Sequence, residues 1–236
     1  MSAWSIVSIS SGARLARPLG ARLPLLVGIA GLATFALIVV SSFVAPPLWD
    51  APGTHSSGAR AAAYAFDNRT RILVSLFMFS VAIGIWLWFT GGLWAWMRQL
   101  EPEPQPLSSV FALATVAMLV MIISAFVPLG VLGYRLEAPS EAGLLTDTGF
   151  GLLALSGIPA AVALSAFAAL VVRTGCLQRW TAVVAVPAAL AHVFIAMSFL
   201  GHGAVLSIEG SVIVWVPALL FTWLAAVSAA LLLRAR

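Results

Sequence analysis

His192 is the residue of this chain whose type and position most directly suggest chemistry. It is thirteenth of the 21 residues in the apolar stretch Trp180–Leu200, and no other ionisable side chain lies that deep in an apolar run. An ionisable group inside a membrane is a functional-site hypothesis by default. The chemistry open to it is proton relay, contact with a ligand, or axial ligation of a haem. The plainer alternative is a neutral imidazole bonded to a hydroxyl or carbonyl across a helix bundle, worth roughly 0.6–2 kcal/mol. Haem is not expected. The other histidines, His55 and His202, fall in a loop and ten residues further on, and Met118 and Met121, the partners available by depth, read more simply as core filler.

A weaker constellation combines Asp147, His202 and Glu209, whose carboxylates and imidazole are of the type that hold divalent cations. Asp147 is expected in the first turn of the fourth long helix, where the helix dipole alone would account for it, and nothing in the sequence makes the three converge. No resident metal or other cofactor is therefore expected. Cys176, the single cysteine, rules out an internal disulfide and any paired-cysteine redox or zinc motif.

A third group is conformational. In Ser156-Gly157-Ile158-Pro159, the proline lacks a backbone donor and clashes with the preceding turn, so a kink is expected there. A kink opening on Ser156 could form a ligand cavity or a hinge, the plainer alternative being that it fits the helix into the bundle; Ser156, Gly157, Pro159 and His192 form the proposed ligand-binding set. Gly157, Ala161, Ser165 and Ala169 recur every fourth residue, a small-residue stripe that lets a second backbone approach closely and a candidate partner interface. The aromatic run Trp86, Trp88, Phe89, Trp94, Trp96 reads as packing and interface anchoring. Catalytic templates are missing: there is no HExxH, GxSxG, P-loop or GxGxxG sequence, each of which would carry a defined chemistry. An enzyme is the least favoured reading.

The elements that must position these residues follow from composition. Of 236 residues 62% are hydrophobic and 8% charged, with mean hydropathy +1.07, against about 25% charged in a soluble domain. The same numbers exclude disorder. The 12 basic residues, giving a net charge of +4, are all arginine and scattered in ones and twos, so they cannot build the contiguous patch that nucleic acid requires. Six apolar stretches of spanning length can be read, at about 23–44, 72–97, 107–132, 144–172, 180–200 and 212–233, each long enough for a hydrocarbon core of about 30 Å. None alternates as barrel strands would. The expected fold is an all-α membrane protein, a single six-helix domain over residues 23–236 behind a tail of residues 1–22. The first run, 22 residues long, exceeds the roughly 7–15 of a cleavable signal sequence and is read as a retained helix. The segment Ala59–Phe66 has high helix propensity and should extend the second helix or lie along the surface.

Orientation rests on the arginines. With both termini cytoplasmic, Arg14, Arg17, Arg22, Arg98, Arg173, Arg179, Arg234 and Arg236 lie inside and Arg60, Arg69, Arg71 and Arg135 outside, the bias that sets topology. Arginine without lysine is also a mark of high-GC coding, which points to the inner membrane of a bacterium.

The Gly157-Ile158-Pro159 kink, the loop Arg173-Thr174-Gly175-Cys176-Leu177-Gln178-Arg179-Trp180 and the closing Leu231-Leu232-Leu233-Arg234 together resemble a broad group of uncharacterised six-helix membrane proteins of high-GC bacteria. The resemblance implies architecture and supplies no activity, substrate or cofactor. The favoured functional expectation is a bundle that binds or passes a small or lipophilic molecule around His192. The alternative is an accessory subunit whose fourth helix docks a membrane partner or a second copy.

Overall fold

A computed structural model describes residues 17–46, 52, 56–102, 106–134, 139–200 and 211–235. The helices are α1 (Arg17–Val44), α2 (Gly58–Asp67), α3 (Arg69–Arg98), α4 (Leu107–Tyr134), α5 (Pro139–Leu155), α6 (Gly157–Thr174), α7 (Arg179–Ala196) and α8 (Ser211–Arg234), with a 3-10 turn over Met197–Leu200. Among the described residues, six segments are long and apolar enough to cross a membrane: Arg22–Val44, Arg69–Arg98, Leu107–Tyr134, Glu141–Thr174, Arg179–Ala196 and Trp215–Arg234. This is the architecture of a multi-pass α-helical membrane protein. Large apolar side chains such as Phe43, Phe77, Trp88 and Leu113 point outward, as suits a surface solvated by lipid.

The spans form a closed ring. α1 packs on α3, α3 on α4, α4 on α6, α6 on α7, α7 on α8, and α8 returns to α1. Five of these six contacts join spans consecutive in the chain. The sixth, between the first and last spans, depends on glycine: a β-carbon at Gly31 would overlap the Ser228 hydroxyl, and one at Gly28 would lie 2.9 Å from the Leu232 side chain. Such close approach is how helices associate where lipid removes the usual hydrophobic drive.

The ring has two differently built ends. One carries the α6–α7 loop around Cys176. There Gly175 adopts φ +62 and closes α6 with its N–H on the Val171 carbonyl, the left-handed cap that glycine takes without strain. The Cys176 carbonyl accepts a bond from Arg234, whose guanidinium also sits 5.2 Å from the Trp96 ring centre. Glu101 caps α4 at this end, accepting from the N–H of Leu107 at 2.7 Å, from the N–H of Ser108 at 3.1 Å and from the Ser108 hydroxyl. Burial pushes the Cys176 thiol above its ordinary range, against smaller opposing effects of Thr174 and Arg234.

The other end carries α2. Ser57 caps this helix through the Arg60 N–H, and Asn68 separates it from α3. It is thus a helix of its own, lying on α5 with Ala61 and Ala65 buried beside Leu132 and Ala142. Arg71 ties this end to α1 through the Val44 and Ala45 carbonyls, at 3.0 and 2.9 Å.

The fourth span departs from expectation at its start. The helix begins at Pro139, whose fixed φ favours a first helical turn, so Asp147 stands two turns inside α5 and the acidic residue of the first turn is Glu141. At 34 residues the span would measure about 50 Å as a straight helix, well over a core of about 30 Å. At Ser156, between α5 and α6, the helix is interrupted by a single residue that keeps right-handed helical backbone angles, still donates to Leu152 and accepts from Ala160; Pro159, three residues on, has no N–H to give.

Candidate functional site

The α2-end half of the ring surrounds a partly open cavity of about 330 Å³, within the roughly 300–1,000 Å³ range of small-molecule sites. Its wall takes Phe79 and Trp86 from α3, Phe126 from α4, Phe150 from α5, Phe221 from α8, and Ser156 and His192 from the level of that interruption. Ala61 and Tyr64 of α2 complete the lining, which contains no Arg, Asp or Glu among the described residues.

Two features set this cavity's lower level. The first is the crossing of α6 over α7: a β-carbon at Gly157 would overlap the His192 carbonyl oxygen and lie 3.2 Å from the Ala196 nitrogen. Only glycine permits that approach. It fixes the backbone of His192 while leaving the ring free to face inward. The second is a set of aromatic side chains that fills the ring's other half. Trp223 meets Phe167 at 5.1 Å and Phe89 at 6.4 Å edge to face, geometries that the ring quadrupole favours, and Phe111 at a tilt at 6.2 Å.

The polar groups of the lining are mostly occupied within their own helices. Ser42 donates to the Ile38 carbonyl, Ser75 to Ile72, Thr146 to Ala142 and Ser156 to Leu153 at 2.6 Å. Each hydroxyl thus presents lone pairs, not a proton, to the space. His192 Nδ1 lies 2.7 Å from the Ala188 carbonyl oxygen. A carbonyl can only accept, so Nδ1 carries a proton, and in a neutral imidazole Nε2 is then the acceptor. Trp86 Nε1, in a side chain only 2% exposed, has no hydrogen-bond partner among the described residues. A buried donor left unmade costs about 1–3 kcal/mol; the Nε1 atom itself is sealed within the packing.

The residues singled out by sequence are distributed as follows. Ser156 and His192 line one cavity, and Gly157 binds their helices together. Pro159 is half-buried in the first turn of α6. Of the small-residue stripe, Gly157 and Ala161 are buried within the chain, Ala169 is half-buried and Ser165 is exposed. Steps of four residues advance 400° on a helix of 3.6 residues per turn, so the stripe winds outward. Met118 lines the cavity and Met121 does not. Asp147 is exposed on α5, while His55, His202 and Glu209 lie outside the described residues. Sequence reasoning placed Trp86 among packing aromatics. The signal it carried was depth: it stands far from the helix ends, where tryptophan usually anchors.

No protein-family model, curated protein or solved structure matches this chain. The functional reading therefore stands on the geometry of the cavity.

Proposed function

We propose that this protein is a non-catalytic membrane bundle that binds, or passes, a small lipophilic molecule in the cavity beneath α2. The observation that carries the reading is His192: a buried imidazole, 4% exposed, forms part of the wall of a largely apolar cavity that has no Arg, Asp or Glu among its described lining residues. A lipophilic pocket with a few convergent polar groups is the usual form of a small-molecule site. The arginine asymmetry supports an orientation with both termini cytoplasmic, and the lysine-free composition, with the resemblance to six-helix proteins of high-GC bacteria, supports a bacterial inner membrane.

The test is a native mass spectrum of the full chain released from mild detergent, for wild type and for Ile122→Phe, which would fill the cavity from α4. A discrete lipophilic mass that leaves on activation, present in wild type and lost in the variant, is the expected result. A wild-type chain that stays bare after incubation with total membrane lipid extract overturns the reading.

A further inference from the structure

Resting on that reading, we propose a ligand class: a single-chain amphiphile, with one unbranched hydrocarbon tail down the cavity and its head group at the α2 end. The cavity is long. Its lining runs from Ile72 to Trp86 on α3 and from Leu132 to Met118 on α4, with a residue at every turn. Each run covers 14 residue steps, about 21 Å at about 1.5 Å per residue. The two helices stay together over that depth. A β-carbon at Gly133 would lie 3.7 Å from the Ile72 side chain, and halfway down Phe79 meets Phe126 at 5.9 Å. At the bottom Trp86 meets Phe221 at 6.4 Å, and one turn lower Phe89 and Trp223 close the centre.

A volume of about 330 Å³ is at the low end for small-molecule sites. Drawn out over that depth it makes a slot for one chain, where a fused-ring or two-chain lipid would need a wider chamber. The lower end is shut by the packed aromatics and by the His192 ring, which Ala188 holds through Nδ1. Pro46, Pro52 and Tyr64 line the other end and lie outside the membrane spans, where a head group keeps its water. Within the slot, Ser75, Thr146 and Ser156 give their protons to their own helices. The wall has no Arg, Asp or Glu among its described residues, so a charged or strongly hydrated head would lose its partners on entering. An extended chain advances about 1.25 Å per carbon, from a bond of about 1.5 Å and a near-tetrahedral angle. The slot therefore takes a tail of about 14–16 carbons.

The experiment places the full chain in phosphatidylcholine nanodiscs and adds saturated alkylphosphocholines of about 10 to 20 carbons, a range that brackets the slot, with cholestanol as a wider competitor. Native mass spectrometry after release from the disc reads what the chain retains. Wild type should show a maximum near 14–16 carbons, at least about threefold above chains about four carbons longer or shorter, since those protrude or leave a void. Ile83→Trp fills the slot one turn above Trp86, about 4.5 Å higher, and should move the maximum down by about three to four carbons. Met118→Ala deepens the slot and should move it up by about two carbons. Leu129→Ala, nearer α2, should leave it in place. Retention without a maximum, or a maximum that Met118→Ala and a folded Ile83→Trp both leave unmoved, overturns the slot. Retention of phosphatidylcholine or cholestanol in preference to every single-chain probe overturns the ligand class and leaves the lipophilic cavity standing. Failure to retain any of these compounds overturns the cavity reading itself, and this inference with it.

Discussion

At the Cys176 end, Phe89, Phe111, Phe167 and Trp223 meet ring on ring in the centre of the bundle, whereas at the α2 end the same helices stand around a cavity of about 330 Å³. Inside a bilayer, burying an apolar side chain gains little over leaving it in lipid, so cohesion comes from close packing and polar bonds. The aromatic half has both, with Glu101 and Arg234 closing its loops. The cavity half forgoes central packing and is held at its rim instead, by Arg71 on α1 and by α2 on α5. One half thus holds the ring together so that the other can remain open.

The sharpest way to break this comparison is to truncate one phenylalanine in each half. Phe167→Ala removes a fully buried ring from a filled centre and should cost about 3–5 kcal/mol. Phe126→Ala, whose ring already borders empty space, should cost about half as much or less. Reversible unfolding in mixed micelles measures both, and equal losses would remove the distinction. Next is Gly157→Ala, which drives a methyl group into the α7 backbone and should cost about 1–3 kcal/mol. Its control, Gly84→Ala, meets open space and should be neutral or stabilising by up to about 1 kcal/mol. Glu101→Ala leaves the first N–H groups of α4 without their acceptor and should cost about 1–2 kcal/mol; the corresponding melting shift should disappear if another side chain takes over the cap.

The smallest effect concerns Cys176. Its raised pKa means that the fold prefers the neutral thiol. That preference is fully present below the unfolded thiol's titration range and is lost as pH rises through the folded one. Alkylation of the native protein near pH 7.5 should therefore run at least about tenfold slower than in denaturant, with its rise with pH displaced upward from that of the unfolded thiol. Equal rates at pH 7.5 would show that the loop is not closed around the thiol.

The apolar runs made the six spans legible, and Ala59–Phe66 disclosed α2 through its propensity alone. His192 stood out because it is an ionisable residue in an apolar run. The inward faces did not stand out, because the spans are apolar on all sides and carry no amphipathic stripe to point at a core. Trp86 and Trp88 illustrate the difficulty. They sit two residues apart in one aromatic run, yet the first is 2% exposed and the second 81%. Gly28 and Gly31, which let α1 close on α8, carry no motif that separates them from other glycines of a membrane helix. The start of α5 was misplaced because Pro139-Ser140-Glu141 is polar, and a hydropathy boundary lies inside the helical one.

The ring also implies an order of assembly. Five of its contacts form between spans that follow one another in the chain, so each is within reach as soon as its second helix is in place. The seam between α1 and α8 joins the two most distant helices and must close last. Pro217, Leu220 and Phe221 of the cavity wall belong to α8, so the pocket has no complete circumference until that final helix arrives. A chain ending before Ser211 would keep five walls of the six, but it would lose Trp223 from the packed aromatics and would have nothing to close its cavity.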